Sequence, residues 1–249
     1  MNCFDRDPHL RWLFCPTHPD DELAICCWMK RLTDQGNDVF ISWTHATEER
    51  MQEAQQAAQR LGVRQDRLFF HSGRDGQVCE QLAELTPSFE SMVAEVQPDR
   101  ITCGAFEQGH LDHDATNWLV NRVFRGPVLE FPLYHTYLSK LQTLNRFASP
   151  DGEEVVELDE DERRFKVDLA QRYPSQNIWT VLLAYECWQI LRLRPAELRK
   201  SERLRLQVHR DWNVPNLPDP LAAQVERSEP WLRWLRALHL VAKGDLHNS

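Results

Sequence analysis

Two short strings concentrate the groups able to do chemistry: His18-Pro19-Asp20-Asp21-Glu22 and His110-Leu111-Asp112-His113-Asp114. Two imidazole nitrogens and one carboxylate oxygen are ordinary ligands of a catalytic zinc, which keeps its fourth position for water. A further carboxylate beside that water can serve as base, and a further histidine as acid. The same donor set with open positions also describes a non-haem Fe(II) oxygenase site. Taken singly, either string reads equally well as a helix start, where carboxylates cap free N–H groups and meet the positive end of the dipole. Where the two strings fall in the fold therefore decides more than what they contain.

The apolar pattern predicts strands over residues 10–15, 39–44, 67–70, 100–103 and 128–131. Helices are expected over 20–35, 48–61 and 112–124, with another opening at Thr86-Pro87 and closed by Pro98. Gly36 and Gly62 stand where helices end, and Thr86-Pro87 pairs a capping residue with a proline of the first turn. Strands alternating with helices imply right-handed βαβ units and a Rossmann-like α/β fold, a mostly parallel sheet with helices on both faces. In such a sheet the first and fourth strands meet at the switch point, and ligands bind beyond the strands' carboxyl ends. Each string directly follows one of those two strands, so both are expected at one sheet edge.

Past residue 135 the pattern changes. A hairpin is expected between 140–147 and 155–158 across Ser149-Pro150-Asp151-Gly152. Helices over 159–172 and 176–193, a strand over 203–209 and a Trp-rich helix over 219–242 follow. The expected organisation is one domain over residues 1–249: a parallel core over 8–135 that holds the site, and a C-terminal α+β extension over 136–249 packed on it.

Composition narrows the function classes. Hydrophobic residues are 42% and charged residues 27% of the 249, ordinary for a folded soluble chain. Nine glycines and the absence of Gly-x-Gly-x-x-Gly exclude a dinucleotide cradle. A net charge of −9 without any basic block argues against nucleic acid and against an anionic membrane as partners. The seven cysteines include no Cys-x-x-Cys pair, and Cys26 and Cys27 are adjacent. They read as reduced, buried apolar residues and not as metal ligands. The N-terminus has no apolar core of signal-peptide length, and the longest uncharged apolar stretch, 178–185, is far short of the ~20 residues of a membrane span. A cytoplasmic location is expected.

His18-Pro19-Asp20-Asp21-Glu22 with the distant His110-x-Asp-His113 resembles the PIG-L/LmbE zinc-dependent de-N-acetylases, which act on N-acetylglucosamine conjugates. Arg50-x-x-Glu53-Ala54-x-x-Ala57-Ala58-x-x-Leu61-Gly62-Val63 is similar to that family's second helix, and Asp75-Gly76, Pro98-Asp99 and Tyr173-x-Ser175-Gln176 also fit. The resemblance covers about residues 10–130 well. It implies His18, Asp21 and His113 as metal ligands, Asp20 as general base, and His110 as the group that meets the oxyanion and helps expel the amine. The implied cofactor is Zn2+, or Fe2+ in its place. The implied substrate is a small-molecule, lipid-linked or peptide-linked amino sugar. Leu111 stands where the family commonly has proline, and the loop at 44–47 is short and lacks the usual glycine.

Other residues are read with two meanings each. Glu22 and Asp112 either cap helices or support a ligand from behind. Arg50 is expected to pair with Glu53 along a helix face, or else to reach the substrate. His45, His71 and His135 each follow a predicted strand and are candidates for the pocket rim, with an ordinary surface or core role as the alternative. Trp231 and Trp234 read as an apolar helix stripe. The leading function is a zinc amidohydrolase in which His110, as imidazolium, meets the oxyanion. The alternatives are the Fe(II) oxygenase and a metal- or sugar-binding module without catalysis. Oligomeric state is left open.

Overall fold

The computed structural model describes residues 2–138, 143–194 and 198–247. Among these, one sheet holds β1 (Arg11–Cys15), β2 (Asp38–Trp43), β3 (Leu68–Phe70), β4 (Arg100–Gly104), β5 (Val128–Phe131), β6 (Glu153–Glu157) and β7 (Ser201–Leu206). The order is β3-β2-β1-β4-β5-β7-β6. The first five run parallel, while β7 is antiparallel to both β5 and β6. The expected α/β class holds, and β1 and β4 lie side by side at the switch point.

Alternation along β1 explains the layers. Trp12 and Phe14 join a core with α1 (Cys26–Asp34), α2 (Glu48–Leu61) and the end of α5 (Glu160–Ala170). Leu13 and Cys15 point the other way, into a core with α3 (Leu82–Val96), α4 (Leu111–Val123) and α8 (Glu229–His247). Burial on both faces is why the strand reads as a nearly continuous apolar run. Trp231 and Trp234 are buried in the second core against Phe106, as an apolar stripe should be.

Four expectations need correction. The helix expected from residue 20 begins later: Asp21–Ala24 form a 3-10 turn and α1 starts at Cys26. The Asp21 carboxylate turns back to accept the N–H groups of Thr17 and His18, which fixes a loop where a helix would run. The Glu202 carboxylate from β7 then caps α1, accepting from Cys27 and Trp28. Second, α3 begins at Leu82 and carries Pro87 inside it. The Thr86 hydroxyl donates to the Leu82 carbonyl instead of capping.

Third, the expected hairpin does not form among the described residues. Residues 143–150 contain no strand, residues 139–142 lie outside the description, and β6 pairs with β7, Glu153 opposite Arg205 and Glu157 opposite Ser201. Finally, the long C-terminal helix is two helices, α7 (Asp219–Val225) and α8, because Pro230 lacks the N–H that an uninterrupted helix would use. The last helix of the set, α6 (Ile178–Leu191), packs beside α5 near the site.

Candidate active site

Both strings reach the carboxyl edge of the sheet, His18 three residues after β1 and His110 at the N-cap of α4. One oxygen organises the cluster. Asp21 Oδ2 lies 3.6 Å from His18 Nδ1 and 3.4 Å from His113 Nε2, with all three groups buried. On the other side of the His18 ring, Nε2 faces Asp75 Oδ1 at 3.4 Å and Asp112 Oδ2 at 3.5 Å. Burial pulls the His18 ring down, but Asp112, Asp21 and Asp75 outweigh it and hold it well above its ordinary 6.5. Burial raises Asp21, and His113 and His18 overcome that to hold it well below 3.8.

The cluster is thus short of positive charge, and buried His113 Nε2 has no hydrogen-bond partner. Two imidazoles and a carboxylate whose ligand atoms all lie within 4.8 Å of one another fit a divalent metal with open positions. Cys26, Cys27 and Glu202 also cluster, but the Lys166 ammonium 2.8 Å from Glu202 already supplies the cation there. No disulfide occurs among the described cysteines.

Asp20 and His110 flank this cluster on the wall of a cavity of about 370 Å³. Asp20 sits at φ 114°, ψ −26°, a left-handed conformation that costs a residue with a Cβ on the order of 1–3 kcal/mol. Glu22 holds the strained loop: its Oε2 accepts from Asp20 N at 3.1 Å and from Trp43 Nε1 at 3.1 Å, and its Oε1 accepts from the Tyr173 hydroxyl. Glu22 is fully buried, so the solvated-cap reading is excluded. Burial and neighbouring Asp21 push Asp20 well above 3.8, against the pull of Arg50 at 3.3 Å.

Arg50 does not pair with Glu53. Its guanidinium turns to Asp20 and donates to the Pro19 carbonyl, while Glu53 accepts from Ser175 N and Oγ. His110 Nδ1 accepts from the Asp112 N–H at 3.2 Å, which leaves the ring proton on Nε2. Burial, with His113 adding to it, pushes His110 down to about 4. The ring is therefore neutral near pH 7, a hydrogen-bond donor and not the expected imidazolium. Asp112 supports the site from beneath, accepting from Gly76 N at 2.6 Å and Val78 N at 3.1 Å while facing His18. Gly109 cannot be replaced: a Cβ there would stand 1.9 Å from the Tyr134 carbonyl oxygen.

None of the remaining rim candidates lines the cavity, though His45 lies nearest the cluster. His45 Nδ1 meets the Gly73 carbonyl at 2.6 Å, and its ring lies 5.9 Å from that of His18. His71 bonds Ser42 and Ser88, stacks on Phe89 and does not line the cavity; His135 does not line it either. Sequence reasoning missed Asp75 and Tyr134, whose ring lies 5.1 Å from His113. The Asp75-Gly76 turn after a strand was the available signal for the first. Tyr134 offered none.

Residues 13–124, which span both strings, match the family described as PIG-L: GlcNAc-PI de-N-acetylase. That stretch is similar to a PIG-L domain. No curated protein matches the sequence. Solved structures that share the fold include three deacetylases. A zinc inhibited form of teicoplanin deacetylase Orf2 is 15% identical, with TM-score 0.56, over 81% of this chain and 99% of that one. The A40926 pseudoaglycone deacetylase Dbv21 is 19% identical, with TM-score 0.56, over 81% and 97%. The N,N'-diacetylchitobiose deacetylase from Pyrococcus horikoshii is 18% identical, with TM-score 0.53, over 82% and 87%. At these identities the likeness is one of fold, and it extends past the PIG-L match into the C-terminal part. Among the described residues no helix is long and apolar enough to cross a membrane.

Proposed function

We propose that this protein is a metal-dependent hydrolase that removes the acetyl group of an N-acetylglucosamine-type conjugate. The observation that carries the proposal is Asp21 Oδ2 set between His18 Nδ1 and His113 Nε2, with Asp20 and His110 on the cavity wall beside it. A zinc ion held by His18, Asp21 and His113 would polarise the acetyl carbonyl and lower the pKa of a water towards ~7. Iron(II) suits the same donors.

The chain's own groups divide the remaining work. Asp20, raised above the ordinary carboxylate range and steered by Arg50, takes the proton of the attacking water. His110 donates its Nε2 proton in a hydrogen bond to the developing oxyanion, its tautomer fixed by the Asp112 N–H. The C–N bond then breaks, the proton from Asp20 passes to the leaving nitrogen, and acetic acid and a free amine leave, becoming acetate and ammonium when the second proton of the water follows. Asp75 and Tyr134, on the cavity wall, are placed to meet the polar groups of a sugar.

Acetate release from a panel of N-acetylglucosamine conjugates, by zinc-loaded protein, tests the reading. Turnover is expected for wild type and not for folded His113→Ala, which should also fail to hold zinc. Activity that requires dioxygen would instead support the oxygenase. Zinc binding without turnover of any member of the panel would support the non-catalytic module.

A further inference from the structure

Helix α6 reverses the usual order of a surface helix. Buried on its inner side are Glu186 and Gln189, while Val181, Leu183, Cys187, Trp188, Ile190 and Leu191 are exposed. At 100° per residue these six fall on one half of the helix, and that half carries no charge along all 14 residues. Leu191 is 78% exposed, and Leu193 just beyond it 96%. A contiguous apolar face of this kind marks an interaction site, unlike the singly scattered apolar residues of an ordinary surface. The face also meets the catalytic cavity, because Val181 and Leu183 line both.

Charge selects the occupant. Over residues 178–194 and 198–200 the exposed charges are Arg192, Arg194, Arg199 and Lys200, and the sole described acid, Glu186, is buried and bound to Arg199. Arg192 lies over the Trp188 ring at 5.7 Å, keeping its charge beside the apolar face. A second copy related by a twofold axis would bring these arginines towards their own equivalents. Apolar and aromatic side chains flanked by arginine are instead the pattern of a helix lying in the headgroup boundary of a bilayer. The overall charge of −9 spoke against an anionic membrane, but it is an average over the whole surface. Docking is decided within a Debye length, ~8 Å in physiological salt.

We propose that α6 docks the protein on an anionic lipid surface, its outer face in the headgroup boundary and the mouth of the catalytic cavity against the membrane. Flotation of the full chain with two kinds of vesicle tests this: phosphatidylcholine alone, and phosphatidylcholine mixed with phosphatidylglycerol. Wild type should float with the mixed vesicles and lose binding as salt rises. Arg192→Gln with Arg194→Gln should weaken the partition about fivefold per arginine. Ile190→Glu with Leu191→Glu should abolish flotation while leaving the unfolding curve and zinc content at wild-type values, since both side chains point outward. Flotation unchanged in that variant, or none with either vesicle, overturns the proposal. A dimer seen by light scattering, broken by the same variant and without vesicle binding, assigns the face to a second copy and also overturns it.

Discussion

Replacing Glu22 with Gln removes one buried ionisation and leaves every hydrogen bond of the site loop in place. Oε2 receives two obligate donors, Asp20 N–H and Trp43 Nε1–H, so the amide oxygen takes that position. Oε1 meets the Tyr173 hydroxyl, whose oxygen can accept from the amide nitrogen as readily as it donates to a carboxylate. Burial, opposed by the Trp43 donor, pushes Glu22 from 4.5 up to about 7. Folding therefore favours the protonated form. That stabilisation is fully present below pH 4.5 and is lost as pH rises through about 7, after which it is flat. The full loss is about 3 kcal/mol.

Glu22→Gln keeps its neutral state throughout and escapes this loss. Urea unfolding, with chelator present so that metal binding does not enter, should give nearly equal stabilities for the two proteins at pH 4.5. At pH 8 the variant should be more stable by about 3 kcal/mol, equivalent to about 6–12 °C in Tm for a chain of this size. A variant less stable than wild type at pH 8 would show that the fold requires the carboxylate, and would refute the assignment of its partners.

Asp20→Asn should retain zinc while deacetylation falls about 10²–10⁴-fold, and full activity in the folded variant would remove Asp20 as base. Asp112→Ala should weaken zinc affinity about 10–100-fold, read by competition with a chromogenic chelator, because His18 loses its carboxylate partner. The same substitution should cost about 2–4 kcal/mol in unfolding experiments, since the Gly76 and Val78 N–H groups lose a charged acceptor. Cys26→Ala with Cys27→Ala should leave zinc content unchanged by elemental analysis, and metal loss in the folded variant would reassign the site.

The strands, their parallel order and the edge at which His18 and His110 meet were legible in the sequence, because each depends on local pattern and on a general rule of βαβ winding. The grouping of His18, Asp21 and His113 was legible for a related reason: they sit at strand ends, where the sequence keeps chemistry-bearing residues next to the elements that aim them. Side-chain partners across the fold were not. Arg50 faces Asp20 and not its helix neighbour Glu53 because the loop after β1 folds over α2, and no spacing within α2 records that. Glu22 is a buried support because Trp43 and Tyr173 reach it from 21 and 151 residues away.

The pairing of β6 with β7 has the same origin, since an antiparallel strand's pattern states which face is buried but not which strand lies beside it. The sequence shows α6 only as a helix with an uncharged apolar stretch over 178–185. Only the tertiary structure places α5 and the cavity on one side of it, leaving the other side bare, because burial depends on what arrives from elsewhere in the chain.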